Sequence, residues 1–421
     1  MNLVGRGSET EPLTETRVRE LLEEAFADAA VMGKRLLVII PDLTRSAPIP
    51  LMFRLLYETL GGQVVRLDYL IALGTHQPLG EAAVERLVGA SAAARRARYP
   101  KSEVFNHRWD DPGALEVVGV ISSRDMAELT GGLVGRETPI KLNRLIGDYD
   151  ELLVVGPVFP HEVAGFSGGA KYLFPGVAGR EIIDATHWLG ALSTSYETIG
   201  VKDTAVRRVL HRGARFVTET KRVTCLKMVL KGQTLHGLFV GDVVAAWEAA
   251  ADLSARLNIV YKPKPFRSVL SAPSEKYDDL WTAAKAMYKT EPVIEDGGEV
   301  VIYAPHIREV SVTHGAEIEA VGYHVRDYFL GQWERFRNTS WTVLAHSTHV
   351  KGAGRYENGV ETPRIQVALA TAIPRETCER INLGYRDFRE INPADWANRE
   401  DEGVLLVENA GEVLYRLQED V

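Results

Sequence analysis

Residues 156–188 read GPVFPHEVAGFSGGAKYLFPGVAGREIIDATHW, and this stretch decides the predicted fold. The apolar run Leu152–Val155 enters it and predicts a buried strand. Gly168 and Gly169 then predict a tight turn, because glycine adopts positive φ and allows close backbone approach to a ligand. A helix is predicted from Arg180 to Trp188. Strand, glycine turn and helix are the layout of a phosphate or cofactor cradle at the carboxyl end of a strand.

Three titratable side chains lie in this charge-poor stretch, namely His161, Lys171 and His187. The stretch is not a P-loop, because Lys171 is followed by Tyr172 where that motif needs serine or threonine, and it lacks the GxGxxG spacing. Taken alone, the glycine turn is as typical of a structural loop as of a ligand site. The lysine and the two histidines favour a ligand site.

Composition excludes several classes of function. The chain has 421 residues, of which 45% are hydrophobic and 25% charged, as in a folded protein of two or three domains. Its net charge of −8 gives no electrostatic support for a nucleic-acid partner. Cys225 and Cys378 cannot build a disulfide framework, and neither a signal peptide nor a membrane span of about 18 apolar residues is evident. The expected location is cytoplasmic, with no membrane partner.

Strand and helix patterns alternate along the chain, which predicts an α/β fold. The predicted elements include helices at 15–31, 50–60, 81–98, 277–288 and 322–337, and strands at 35–40, 63–73, 224–230, 268–272, 299–304 and 341–346. Alternate prolines in Tyr261–Pro265 enforce an extended backbone and predict a linker. We therefore expect two α/β domains, 1–262 and 266–421, with largely parallel sheets and the active site in the cleft between them.

Polar side chains follow two of the predicted strands. Asp42 and Arg45 come after the strand at 35–40, and His76 comes after the next strand. Loops at the carboxyl ends of strands are where α/β proteins place ligand contacts. The structural alternatives are a helix cap for Asp42 and a solvated loop histidine for His76. Two successive strands that both end in such residues favour a site.

The second half offers weaker candidates. Lys285 lies in a predicted helix, where most lysines are exposed, although a position facing a cleft is the alternative. His346 and His349 are weak candidates for a substrate pocket. The sequence has neither HExxH nor CxxC metal-ligand spacing.

Four motifs in this order resemble the lactate racemase family, whose members use a nickel-pincer nucleotide, a mononucleotide that holds nickel between two sulfurs and a ring carbon. They are Asp42-x-Thr44-Arg45, Gly74-Thr75-His76, the long stretch from His161 through Lys171 to His187, and Thr282-x-x-Lys285. The third motif is long and specific, and the others are short. The resemblance covers most of the chain.

The resemblance implies a role for each matching residue. The nucleotide (pyridinium-3-thioamide-5-thiocarboxylic acid mononucleotide nickel) would be attached covalently at Lys171, with His187 as the nickel ligand. His76 and His161 would be the catalytic acid/base pair, with Asp42 and Arg45 orienting the reacting groups. Further expected contacts are Arg45, Lys285 and Thr282 to the substrate, and Ser167, Gly168, Gly169, Asp42 and Trp333 to the cofactor.

The implied reaction inverts C2 of a 2-hydroxy acid. Hydride leaves C2 for the cofactor and returns to the other face, while one histidine takes the hydroxyl proton and the other supplies one. Thr282 and Val163 replace the glutamine and serine of some members, so a longer sugar acid such as gluconate is an alternative substrate. More remote alternatives are a Schiff-base lysine enzyme and a non-catalytic nucleotide-binding protein. Cofactor maturation enzymes are the expected partners.

Overall fold

The computed structural model describes residues 2–28 and 31–418. The chain forms two compact units. The first unit contains Met1–Phe159, Phe166–Ile183 and Arg207–Leu257, and the second contains Pro160–Gly165, Asp184–Val206 and Asn258–Val421. The units differ from the predicted domains 1–262 and 266–421, because two segments of the organising region group with residues late in the chain.

A seven-stranded sheet forms the centre of the first unit. Five consecutive strands are parallel, and the last two, at one edge, are antiparallel. From the parallel edge, the order is Val104–Asn106, Arg66–Ile71, Arg35–Ile40, Glu151–Pro157, Arg222–Lys231, Thr234–Gly241 and Val4–Gly7. A separate antiparallel pair consists of Leu115–Ile121 and Thr138–Asn143.

The strand order reverses beside Arg35–Ile40. The chain proceeds from this strand to Arg66–Ile71 on one side, whereas Glu151–Pro157 lies on its other side and leads to Arg222–Lys231. In open α/β sheets, ligands bind at the carboxyl ends of the strands beside such a switch point. The loops after these strands carry Asp42, His76 and the organising stretch.

Helices cover this sheet. The α-helices of the first unit, of which the last three also have residues in the second unit, are Glu15–Ala25, Ile49–Leu60, Glu81–Val88, Ala92–Arg98, Ser123–Thr130, Leu145–Asp148, Arg180–Ser193, Ala205–Thr218 and Ala245–Asn258. One face of the sheet packs Val38, Leu153, Leu226 and their neighbours into a large apolar core with the helices at 15–25 and 49–60. Burial of this apolar surface is the main stabilising contribution to the unit.

The second unit contains a smaller, fully parallel sheet. Its five strands are Gly384–Tyr385, Gln366–Thr371, Ile294–Ala304, Phe266–Pro273 and Val404–Ala410, in that spatial order. Its other strands are Pro160–His161, Ile259–Lys262 paired with Leu414–Leu417, and Gly354–Glu357 paired with Val360–Pro363. In the short strand Gly165–Phe166, Gly165 belongs to the second unit and Phe166 to the first. Its α-helices are Ser195–Thr198, Leu280–Ala283, Lys285–Tyr288, Gly315–Val321, Arg326–Gly331, Trp333–Phe336, Trp341–Lys351 and Arg375–Arg380. The predicted α/β class with largely parallel sheets is confirmed.

One predicted element has the wrong type. Residues 341–346, predicted as a strand, begin the helix Trp341–Lys351. Every residue of this helix from Thr342 to Lys351 is buried. A helix that is buried on all sides shows no amphipathic period, so a short apolar run does not distinguish it from a buried strand.

Several predicted helices end early or are divided. The helix predicted at 15–31 ends at Ala25, and residues 29–30 lie outside the described residues. The helix predicted at 81–98 is interrupted at Gly89, whose φ of 72° is the left-handed conformation of a helix end. The helix predicted at 277–288 is divided at Ala284. Within 2–28 and 31–418, no helix has the length and apolar character needed to cross a bilayer.

Candidate active site

An aspartate and a histidine meet at the carboxyl ends of two adjacent strands of the first unit. The parallel register pairs Ile40 with Ile71, which brings the following loops side by side. Asp42 Oδ2 lies 2.5 Å from Nδ1 of His76. Asp42 is 5% exposed, so this charge-assisted hydrogen bond is largely protected from solvent. Asp42 and His76 are therefore in direct contact at this edge of the sheet.

Two neighbouring residues extend this hydrogen-bonded chain. The backbone N–H and the hydroxyl of Thr44 both donate to Asp42 Oδ1, at 3.1 and 2.6 Å. Arg45 Nη1 donates to the Thr44 hydroxyl at 2.9 Å. Burial acts to raise the pKa of Asp42, but the charge and hydrogen bond of His76, with a smaller contribution from Arg45, outweigh it. The pKa of Asp42 therefore lies well below its usual value, and the carboxylate is ionised at neutral pH.

The glycine turn is held from behind by two buried side chains. Arg207 donates to the carbonyl oxygens of Phe166 and of Gly168, the latter at 3.1 Å. Trp247 Nε1 donates to the carbonyl of Ser167 at 2.9 Å. Three successive carbonyls thus face the interior of the unit. This fixes the backbone that leads into the 3₁₀ turn Gly169–Tyr172, which carries Lys171.

The two glycines of the turn are required by close contact as well as by conformation. Gly168 and Gly169 have φ of 82° and 60°. A Cβ on Gly169 would lie 3.0 Å from the Trp247 ring, and one on Gly168 would lie 2.7 Å from Val158. The hydroxyl of Ser167, a predicted cofactor contact, accepts the N–H of Phe159 at 2.9 Å.

A buried lysine lies beside the residue that follows Lys171. Lys227, in the strand Arg222–Lys231, is 0% exposed, and its Nζ lies 4.6 Å from the centre of the Tyr172 ring. Within the described part of the chain, Nζ has no hydrogen-bond partner. Burial lowers the pKa of Lys227 to about 8. Tyr172 fits there only because residue 156 is glycine, since a Cβ on Gly156 would lie 1.9 Å from the phenol oxygen.

In the second unit, His161 is followed by a partly buried acid, Glu162, that the motifs did not single out. Nδ1 of His161 lies 3.3 Å from Glu162 Oε2, and it accepts the backbone N–H of Val163 at 3.1 Å. Burial acts to raise the pKa of Glu162, but the surrounding positive charges, of which His161 and Lys285 contribute most, outweigh it. The pKa of Glu162 therefore lies well below its usual value. The only signal in the sequence is a lone carboxylate next to a histidine in an apolar stretch.

His187 lies in the helix Arg180–Ser193, followed by Trp188, whose ring stacks on Trp333 at 5.5 Å between centroids. On the same helix, Asp184 Oδ1 accepts the N–H and the hydroxyl of Thr342, at 3.1 and 2.7 Å. These bonds cap the helix Trp341–Lys351. Within this unit, the predicted cofactor contact Trp333 therefore stacks on Trp188, the residue that follows the predicted nickel ligand His187 in the chain.

Lys285 and Thr282 are held by local contacts. The Thr282 hydroxyl donates to Asp279 Oδ1 at 2.8 Å, and the Asp279 side chain also caps the helix Leu280–Ala283. Lys285 Nζ donates to the carbonyl of Thr282 at 3.2 Å and lies 5.2 Å from the centre of the Tyr277 ring. The ammonium thus remains close to the start of its own helix, in electrostatic contact with Glu162.

The predicted site residues form two groups. The first unit brings together Asp42, Arg45 and His76, and separately orders Lys171 on the glycine turn. In the second unit, the charges of His161, Lys285 and His349 lower the pKa of Glu162, and the charge of His187 acts on His349. Within the described ranges, no three side chains of His, Cys, Asp or Glu converge as metal ligands.

Comparison with known proteins identifies a family model and several similar proteins. A family model described as the lactate racemase N-terminal domain matches residues 8–200. Lactate racemase of Thermoanaerobacterium thermosaccharolyticum is 24% identical over 298 residues, which are 69% of this chain and 63% of that protein. Lactate racemase of Lactiplantibacillus plantarum is 24% identical over 280 residues, 65% of this chain and 60% of that protein. The chain thus aligns with less than two thirds of the length of these relatives.

Two solved structures share the fold. A protein of Thermotoga maritima is 31% identical, with a TM-score of 0.90, and the match covers 98% of this chain and 100% of that one. The lactate racemase apoprotein of T. thermosaccharolyticum is 19% identical, with a TM-score of 0.71, and the match covers 98% and 94% of the two chains. With the matching N-terminal model and the two racemase relatives, these likenesses show that the chain belongs to the lactate racemase family.

Proposed function

We propose that this protein is an isomerase that inverts C2 of a 2-hydroxy acid, with a nickel-pincer nucleotide attached at Lys171 and His187 as its nickel ligand. The observation that carries the proposal is that each of its two proposed acid/base histidines has a carboxylate beside Nδ1. Asp42 Oδ2 lies 2.5 Å from Nδ1 of His76, and Glu162 Oε2 lies 3.3 Å from Nδ1 of His161. A neighbouring carboxylate stabilises the imidazolium that forms when a histidine accepts a proton.

A C2 inversion needs one group that accepts a proton and one that donates a proton. The hydroxyl of the substrate must lose a proton to a base when it becomes a carbonyl, and the carbonyl must gain one when the hydroxyl forms again. The neutral form of one histidine would accept the hydroxyl proton, and the imidazolium form of the other would supply a proton to the carbonyl oxygen. Substrate of the opposite hand uses the two histidines in reversed roles.

The surrounding charges support these roles. Asp42 fixes the ring of His76 and stabilises the imidazolium that forms when it accepts a proton, as a carboxylate does for a general base. Glu162 lies 3.3 Å from His161 and favours positive charge on that ring. Arg45 and Lys285 are the proposed cations for the substrate carboxylate, which a guanidinium can bind through two parallel hydrogen bonds.

The residues present also fit the proposed cofactor. Lys171 follows a turn whose backbone is pinned by Arg207 and Trp247, which is the rigid support that a covalently held group requires. His187 offers an imidazole, a suitable nickel ligand, on a helix whose neighbouring Trp188 is stacked. When bound, the nickel-pincer nucleotide supplies an acceptor for hydride.

The test is to express the full chain together with the cofactor maturation enzymes and to measure intact mass, nickel content and optical rotation with lactate, malate and gluconate. We expect one added mononucleotide on Lys171, about one nickel, and inversion of at least one acid. His76→Ala and His161→Ala should retain nickel and lose turnover, whereas His187→Ala should lose nickel. Loss of nickel from both His76→Ala and His161→Ala, or unchanged turnover in either variant, would refute the assignment.

The same experiment distinguishes the other chemical classes. A Schiff-base lysine enzyme would gain the mass of a reduced substrate adduct after borohydride treatment, at Lys171 and without nickel. A non-catalytic nucleotide-binding protein would carry the nucleotide and leave the optical rotation of every acid unchanged. Gluconate inverted faster than lactate would establish the sugar-acid alternative.

A further inference from the structure

His349 is a buried imidazole with unused hydrogen-bonding capacity. It is 3% exposed, and within residues 2–28 and 31–418 neither of its ring nitrogens has a hydrogen-bond partner. His346, one turn earlier on the same helix, differs because its Nε2 is bonded to the carbonyl of Trp281 at 3.1 Å. Buried polar groups are nearly always paired, because an unmade hydrogen bond loses the hydration of the group without replacement. The two open nitrogens of His349 therefore point to a ligand.

The surroundings of His349 identify where that ligand would lie. Its ring is 6.2 Å from the ring of Tyr288, which is one helical turn after Lys285. The charges of Glu162 and His187 both act on it. Glu162 in turn contacts His161 and senses Lys285. Glu162 thus contacts His161, and electrostatic interactions link Glu162 and His349 to Lys285 and His187, to which the proposed function assigns substrate and metal.

We propose that Glu162 and His349 form a subsite for a hydroxyl group, so that the substrate is a 2-hydroxy acid with a neutral hydroxyl on the carbon beyond the reacting centre. This inference rests on the proposed function for the reaction at C2. A carboxylate only accepts hydrogen bonds, whereas a neutral imidazole offers one donor and one acceptor. One hydroxyl group can donate to Glu162 and accept the N–H of His349, so that it contacts both side chains and pairs one of the two ring nitrogens.

Other substituents at that carbon fit less well. A methyl group, as in lactate, would leave His349 buried and unpaired. A second carboxylate, as in malate, would meet the negative charge of Glu162 in a setting where little water screens it. Sites that hydrogen-bond a substrate hydroxyl discriminate against the analogue without it by up to about 10⁴-fold, far more than apolar pockets do. Because Glu162 keeps some exposure, with 14% of its side chain accessible, we expect a preference of about 100-fold in kcat/KM.

Lactate, glycerate and malate are matched probes, because they differ only in the group on that carbon: hydrogen, hydroxyl or carboxylate. The full chain without cofactor is titrated with each acid by calorimetry, and the nickel-loaded chain is assayed for inversion of each. We expect glycerate to bind at least tenfold more tightly than the other two and to have the highest kcat/KM. Where binding to the unloaded chain is too weak to measure, the kcat/KM ratios decide by the same criterion.

Variants assign the preference to the two side chains. Glu162→Gln should raise the affinity for malate relative to glycerate at least tenfold, since it removes the charge and keeps the shape. His349→Leu should abolish the preference for glycerate over lactate, and His349→Asn, which keeps a donor and an acceptor, should restore part of it. Glu319→Gln is the matched control, because it makes the same chemical change at a carboxylate bonded to Arg380 near the surface. Melting temperatures show that each variant is folded.

The outcomes separate this inference from the proposed function. The proposed subsite is refuted if the wild-type protein prefers lactate or malate. It is also refuted if the preference for glycerate is unchanged in both Glu162→Gln and His349→Leu. A preference for glycerate in calorimetry that the variants abolish, without inversion of any acid by the loaded chain, supports the subsite and refutes the proposed reaction. If glycerate is neither bound nor inverted, both the subsite and the proposed reaction are refuted.

Discussion

Replacement of Lys227 by methionine should stabilise the protein, because the buried ammonium lowers the stability of the fold. The pKa of this group falls from 10.5 to about 8 because burial disfavours the charged form, and the charge of Arg207 adds to the effect. At pH 7 the ammonium is charged in both the folded and the unfolded chain. The difference of 2.5 pKa units corresponds to about 3 kcal/mol of lost stability, at roughly 1.4 kcal/mol per unit.

One favourable contact offsets part of this loss. Lys227 Nζ lies 4.6 Å from the centre of the Tyr172 ring, and a desolvated cation–π contact contributes up to about 2 kcal/mol. Methionine has nearly the same length and shape and carries no charge. Lys227→Met should therefore raise the free energy of unfolding at pH 7 by about 1–3 kcal/mol.

The sign of the pH dependence gives a second check. The lysine loses its charge in the folded state above pH 8 and in the unfolded state only above 10.5, so wild-type stability recovers across this window. The advantage of Lys227→Met should therefore shrink by about 2 kcal/mol between pH 7 and pH 10. Urea unfolding followed by circular dichroism at both pH values measures it. Lys231→Met, at the exposed end of the same strand, is the matched control and should change stability little.

A loss of more than 1 kcal/mol in Lys227→Met at pH 7 would refute this reasoning, because it would mean that the ammonium stabilises the fold. A gain that stays constant between pH 7 and pH 10 would refute the assignment of the loss to charge burial.

Three further changes test other parts of the structure. Asp42→Asn should lower kcat of the loaded enzyme by about 10²–10⁴-fold. The two donors of Thr44 would hold the amide oxygen, so the amide NH₂ would donate to His76 and move the ring proton to Nε2. Unchanged kcat with unchanged nickel content would contradict this. Gly165→Ala should lower the free energy of unfolding, measured by urea titration, by about 3 kcal/mol or more. The φ of Gly165 is 75°, and a Cβ there would lie 1.7 Å from the carbonyl oxygen of Val201. Gly62→Ala, where a Cβ would have no atom within 4 Å, is the control and should have little effect. The free energy of unfolding of the wild-type protein should fall by about 2 kcal/mol between pH 7 and pH 5 through His107 alone. Burial lowers the pKa of His107 in the folded state to about 4, so as the pH falls below 6.5 the proton binds this residue first in the unfolded chain. His107→Gln should remove this part of the loss, and an identical pH dependence in wild type and variant would show that His107 does not cause it.

Sequence patterns predicted the parts of the fold and site that depend on local chemistry. The apolar run at Arg35–Ile40 is a strand with the predicted bounds, and the polar residues after it meet His76 because adjacent parallel strands end at the same edge. The hydrophobic pattern did not identify the helix Trp341–Lys351, since a helix that is buried on all sides shows no helical period of apolar residues. Glu162 and Lys227 were missed for a related reason. A single charged residue within an apolar stretch does not show whether its side chain leaves the core, and only tertiary packing decides that.

The interleaving of the two units has a consequence for biosynthesis and for protein engineering. The chain passes from one unit to the other at Phe159–Pro160, Gly165–Phe166, Ile183–Asp184, Val206–Arg207 and Leu257–Asn258. A fragment that begins at Asn258 lacks His161 and His187, so truncation at the apparent boundary cannot yield an intact second half. On the ribosome, the segments Pro160–Gly165 and Asp184–Val206 emerge long before most of the residues with which they pack. We therefore expect these segments to be accessible to chaperones and proteases until translation is complete.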